Sequence, residues 1–155
     1  MDTGSTLLGI GLLLLFITPI GYLIYNQSMQ EKKTAKQMRI TAANVGMNLS
    51  QLDLLPLLAL GLDKTAEKLL VLTPENKKTH LIDLHKVTSA EVVKKYHLNH
   101  TTTLLDDVEE ISLTLKNGKE PYEKVIFYRE GKNAVTEKEK LLQTAIKWQK
   151  IVSAK

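Results

Sequence analysis

Nineteen consecutive residues, Leu7 to Tyr25 (LLGIGLLLLFITPIGYLIY), carry no charge. No other feature of the chain restricts its fold as strongly. A helix of this length, at 1.5 Å per residue, reaches about 30 Å, the thickness of a bilayer's hydrocarbon core. Pro19 and Gly21 would weaken a helix in water, but inside a bilayer neighbouring helices re-satisfy the backbone. Tyr22 and Tyr25 fall toward the far end, where amphipathic rings favour the interface. A cleaved signal peptide needs a basic start and a small-residue cleavage site. The opening MDTGST has neither Lys nor Arg, and the following NQSMQEKKTAKQMR has no A-x-A-like site. The sequence therefore predicts a transmembrane anchor over 7–25, behind a short tail at 1–6, rather than a signal peptide or a core helix. Gly9, Gly11, Thr18, Pro19 and Gly21 are its candidate packing positions, because small residues let a second helix approach closely.

Charge then gives the anchor a direction. No basic side chain precedes it, whereas Lys32, Lys33, Lys36 and Arg39 follow within about 15 residues. Positive flanks stay cytoplasmic, so the N-terminus is expected outside and the rest inside, at a cell inner membrane. The same four cations stand where anionic headgroups would meet them. Their default role is sidedness, with headgroup contact as a second reading. Asn26 to Asn44 has no Gly or Pro and is rich in Gln, Lys, Met and Ala, which favour helix. A helical stalk over 26–45 is expected, ended by Gly46.

From Gly46 onward the pattern changes to short apolar runs separated by turn residues. Leu54 to Leu62 (LLPLLALGL) is apolar but contains Pro56, and periodicity does not assign it. Lys68–Thr73, His80–Val87, Ala90–Leu98, Val108–Lys116 and Lys124–Arg129 read as strands. Val108–Lys116 is the clearest: Ile111, Leu113 and Leu115 alternate with Glu110, Ser112 and Thr114, as in a half-solvated antiparallel strand. Asn117-Gly118 signals a turn that Lys119 to Tyr122, with Pro121, is expected to lengthen. Six strands at most are expected. Thr136 to Val152 reads as a helix opened by a capping box, Thr136 with Glu139. Leu141, Ala145, Trp148 and Val152 form its packing stripe, widened by Leu142, Ile146 and Ile151. Strands followed by one amphipathic helix predict an α+β domain over 46–155, an antiparallel sheet capped by the helix.

The succession LALGLDKTAEKLLVLTPE, HLIDLHKVTSAEVV, VEEISLTLK, KVIFYR and the helix around Ile146-Lys147-Trp148 resembles the bacterial pleckstrin-homology-like domains. It is particularly similar to single-span bacterial membrane proteins that carry such a domain. The resemblance covers roughly Leu58 to Val152 and rests on strand patterns. It implies a bent antiparallel sheet closed by a C-terminal helix, and a module that binds lipid headgroups or a peptide.

Catalytic chemistry finds little support. There is no cysteine, hence no disulfide, thiolate metal site or cysteine nucleophile. His97 with His100 and His80 with His85 lack an H-E-x-x-H arrangement or companion ligands, so no metal site is expected. Asp106, Asp107, Glu109 and Glu110 cluster at a strand entry with no nucleophile beside them, and read as a solvated face. No phosphate-cradling or nucleophile-elbow glycine motif occurs, and Gly46, Gly61, Gly118 and Gly131 read as turn or bulge glycines. The 21 basic residues all follow the anchor but are interspersed with acidic ones, without stacking aromatics, so nucleic acid is not an expected partner. Trp148, the only tryptophan, reads as the terminal helix's core anchor, and Lys77-Lys78 and Lys94-Lys95 as solvated charge.

Without cofactor or catalytic site, the expectation is a non-enzymatic accessory or scaffold subunit of an inner-membrane assembly. Its partners would be the bilayer and a membrane protein. The alternative is a module that binds anionic headgroups or a peptide at the cytoplasmic membrane surface.

Overall fold

The computed structural model describes residues 3–74, 78–97 and 105–154, without the side chains at 3–11, 14, 16, 23, 24, 26–28 and 106. Helix α1 (Thr3–Asn44) runs unbroken through Pro19 for 42 residues, about 63 Å. Among the described residues no helix carries a stretch long and apolar enough to cross a membrane. Much of the uncharged run, including Gly9 and Gly11, has its side chains outside the described residues.

Gly46 stops α1. The Met47 N–H donates to the Ala42 carbonyl at 2.8 Å and the Gly46 N–H to the Ala43 carbonyl at 3.1 Å. This crossed pair satisfies the helix's last carbonyls and needs a left-handed residue, a conformation Gly46 takes at φ +68° without a Cβ penalty.

Seven strands follow, one more than the sequence pattern gives. Pro56 is the reason. It has no N–H for a ladder, so the run Leu54–Leu62 divides into the end of one strand, a turn and the next strand. Strands β1 (Gln51–Leu54), β2 (Ala59–Asp63), β3 (Lys68–Thr73) and β4 (Lys78–Asp83) form an antiparallel sheet in chain order. The apolar run at His80–Val87 is a strand only to Asp83. A 3-10 turn at Leu84–Lys86 then ends it, with the Asp83 carboxylate accepting the His85 N–H. Strands β5 (Ser89–Tyr96), β6 (Val108–Asn117) and β7 (Glu120–Arg129) form a second antiparallel sheet. Asn117 pairs with Glu120, so the β6–β7 turn holds only Gly118 and Lys119 rather than extending to Tyr122. Pro121 lies within β7 and is tolerated because β7 is an edge strand.

Helix α2 (Lys138–Ser153) closes the fold. Its start differs from the expected capping box. A 3-10 turn, Val135–Glu137, leads in, and no side chain caps the helix. Glu139 instead accepts from the Gln143 amide one turn on. The stripe Leu141, Ala145, Trp148 and Val152 is fully buried in the main core, with Leu60, Leu69, Ile111, Leu113 and Phe127. Burying an indole removes roughly 150–250 Å² from water, which makes Trp148 the largest single contribution from α2.

A second, smaller core lies on the other face of the four-stranded sheet. Met38 and Ala42 of α1 and Met47 pack on Ala59, Leu70 and Leu72. Strand β2 is therefore buried at every position instead of alternating, because both its faces are covered. Gly61 is neither a turn nor a bulge glycine. It lies mid-strand beneath α1, where a Cβ would stand 2.8 Å from Leu49 Cδ2 and 3.0 Å from Met38 Cε. The missing side chain lets the helix seat, so the end of the stalk is part of the domain.

Candidate functional site

The two sheets meet at two corners of different construction. At one, α2 fills the gap between β1 and β5. Asp53 Oδ2 accepts from Trp148 Nε1 at 2.9 Å and from Lys147 Nζ at 2.8 Å, and Gln149 Nε2 donates to the Ala90 carbonyl at 3.0 Å. At the other, β4 pairs only with β3 and β7 only with β6, and no strand in the described residues joins them. A groove of about 240 Å³ opens there. Its apolar lining includes Leu58, Val71, Ile82 and Val125, with Thr73 and His80 on one side and Glu123, Lys124 and Arg129 on the other. His80 Nδ1 stands 3.8 Å from Glu123 Oε1 and links the two sheets across it. The volume is below the roughly 300–1,000 Å³ of typical small-molecule pockets.

Strand β7 brings cations to this groove, and Glu110 organises them. Its carboxylate accepts from Arg129 Nη2 at 2.8 Å and Nε at 3.1 Å through one oxygen, and from Lys124 Nζ at 2.6 Å through the other. Burial pushes the Glu110 carboxyl upward, but the Lys124 and Arg129 contacts outweigh it and hold the group below the usual glutamate range. Glu110 is buried, not part of a solvated face as the alternation suggests. It belongs to the central strand of its sheet, the β6–β7 register shifts at Ile111/Ser112, and flanking side chains cover it. Two cations share the Glu110 carboxylate, and with Glu123 and Lys132 on the same side of the groove the cations outnumber the carboxylates by one.

Asp63 is also buried and has a structural role. The backbone N–H groups of Ala66, Asn48 and Thr65 all donate to it, with Ala66 and Asn48 contributing most to lowering its pKa. It ties the segment after α1 to the β2–β3 turn.

The remaining sequence candidates are dispersed. Thr18, Pro19 and Gly21 lie exposed on α1, and a Cβ at Gly21 would meet nothing within 4 Å. Lys32, Lys33, Lys36 and Arg39 are exposed on the same helix. His85 faces Glu67 at 3.3 Å and His97 faces Glu130 at 2.6 Å, while His100 lies outside the described residues. Among the described residues no group of His, Cys, Asp or Glu is arranged to hold a metal. Lys95 pairs with Glu109 at 2.9 Å, Lys94 and Lys78 are exposed, and Lys77 lies outside the described residues.

Met38 and Ala42 seat the domain on α1, and a cleft between the helix and the domain shows how far the domain reaches back along it. Gln30, Glu31 and Thr34 line the cleft together with Leu55, Pro56, Pro74, Glu137 and Lys140. The β1–β2 turn and the start of α2 thus come alongside α1 at Gln30, five residues and about 8 Å of helix beyond Tyr25.

No family model matches the chain, and neither a curated protein nor a solved structure matches it.

Proposed function

We propose that this chain is a membrane-anchored, non-enzymatic accessory or scaffold subunit of an inner-membrane assembly. Its N-terminus lies outside and its α+β domain on the cytoplasmic surface. One observation carries the reading: α1 leaves the uncharged run and, without interruption, ends locked into the domain through Met38, Ala42 and Gly61. A flexible linker would let a domain roam. This construction holds the domain against the membrane, because about 8 Å of helix is close to the thickness of the headgroup layer. Lys32, Lys33, Lys36 and Arg39 lie at that level and support the orientation. Thr18, Pro19 and Gly21 offer a partner helix close approach. The four-plus-three strand arrangement with a terminal helix supports the pleckstrin-homology-like resemblance.

A second reading, recognition of headgroups or a peptide by the domain, is favoured by the cationic side of the β4/β7 groove. Purification in mild detergent at native expression, followed by mass spectrometry, tests the first reading. A stoichiometric membrane-protein partner is expected, and recovery of a lone monomer would sink it. Single cysteines added to this cysteine-free chain, before Leu7 and after Arg39, report sidedness by accessibility to an impermeant thiol reagent.

A further inference from the structure

We infer that the groove between β4 and β7 receives an extended segment of a partner protein, added as a strand alongside β4, with apolar side chains on one face and a carboxylate facing Lys124 and Arg129. The inference rests on the accessory-subunit reading and supplies the chemistry of the contact.

Three observations converge on this occupant. The first is backbone chemistry. Among the described residues β4 has a ladder partner on one side only, so its outer edge presents N–H and C=O groups that a further strand satisfies. Natural edge strands are blunted by lysine, proline, a bulge or a covering element. β4 carries Lys78 only at its first position, contains no proline, and pairs regularly with β3 over six residues. β7 by contrast carries Pro121 and register shifts. The second is side-chain spacing. Residues lining the groove from the four-stranded sheet recur with period two, Val71 and Thr73 on β3 and His80 and Ile82 on β4, with Val71 and Ile82 forming its buried floor and Thr73 and His80 its more accessible rim. An added strand projects alternate side chains at the same period, and a groove of about 240 Å³ suits such side chains better than a cofactor. The third is charge. Lys124 and Arg129 are each about half exposed and share the single carboxylate of Glu110. With Lys132 and Glu123, which also line the groove, the β7 side sets three cations against two carboxylates, and Glu123 lies toward His80, so a partner's Asp or Glu is complemented at Lys124 and Arg129.

The test uses the full chain in nanodiscs of zwitterionic lipid, panned against a phage-displayed library of random peptides. Selected peptides are expected to alternate apolar residues with at least one Asp or Glu. N-methylation of one alternate set of amides in such a peptide should weaken binding by about tenfold or more, and of the other set little, because an added strand uses one edge only. Lys124→Glu, at an exposed position, should weaken the acidic peptide by a similar factor but not an analogue with the carboxylate replaced by an amide. Protection of the 78–83 amides from hydrogen exchange should rise on binding. Failure to select peptides, equal tolerance of both N-methyl sets, or indifference to Lys124→Glu overturns the inference. So does capture of anionic vesicles, lost in Lys124→Glu, without peptide binding. None of these outcomes touches the anchor reading, which stands or falls on cysteine accessibility and co-purification.

Discussion

The corner between β1 and β5 and the corner between β4 and β7 face the same problem. Two packed sheets leave inner-face residues uncovered where their edges diverge. At the first, α2 inserts a full apolar stripe, and Asp53 ties the Trp148 indole and the Lys147 ammonium to β1. At the second, His80 and Glu123 reach across, and the buried Val71, Ile82 and Val125 form the floor of a groove. The first corner is therefore closed by side chains, and the second keeps a groove. A domain with both corners filled would gain stability and lose its groove.

The largest test removes the plug. Trp148→Ala is expected to cost about 3–5 kcal/mol, since it empties the largest buried side chain and leaves the Asp53 carboxylate without its indole donor. A fall in the denaturant midpoint of this size would establish the closed corner as the main support, and a change below about 1 kcal/mol would break the comparison. Gly61→Val probes neither corner. It overfills the α1 seat and is expected to cost about 1–3 kcal/mol, with increased hydrogen exchange at residues 36–44 and unchanged exchange in α2. Because Met38 Cε and Leu49 Cδ2 are flexible side-chain ends, Gly61→Ala should fall at the lower end of that range.

At the open corner the effects should be smaller. Glu110→Gln is expected to cost about 1–2 kcal/mol, less than loss of a fully buried pair, because Lys124 and Arg129 rehydrate. The pH dependence has a definite sign. Asp63 and Glu110 are both held below their ordinary values in the fold, so their contribution is present above the unfolded values, near 3.8 and 4.5. It is lost as pH falls below those values and through the lower folded ones. Thermal unfolding between pH 3 and 5 should show this, with the Glu110 share missing in Glu110→Gln. His80→Ala, at an exposed position, should change stability by no more than about 0.5 kcal/mol, while opening the mouth of the groove. A larger loss would mean that the His80–Glu123 contact holds the sheets together, and the two corners would then differ less than their construction suggests.

Much of this architecture is legible in the sequence because it is local. Period-two alternation identifies Ile111, Leu113 and Leu115 of β6 as core but misses that Ser112 is buried beside them, apolar runs identify β3 and β7, and the stripe Leu141, Ala145, Trp148, Val152 orients α2. A helix start is less legible. Thr136 and Glu139 have the spacing of a capping box, but the chain enters α2 through a 3-10 turn and the Glu139 side chain turns to Gln143. The same limit applies to Glu110, whose alternation assigns it to solvent. A register shift and cross-strand neighbours bury it, and neither is encoded within β6 alone. Gly61 reads as punctuation in the sequence, and only the seating of α1 on the sheet gives it a role.

By itself the sequence determined the uncharged run and the basic flank after it, the α+β order of elements, and the buried stripe of α2. Each depends on residues within a few positions of one another, where helix and strand geometry convert spacing directly into a face. Tertiary structure alone decided that Asp53 meets Trp148 across 95 residues, that Glu110 is shared by Lys124 and Arg129, and that β4 and β7 leave a groove between them. Those arrangements depend on how two sheets and two helices pack, which no local periodicity specifies.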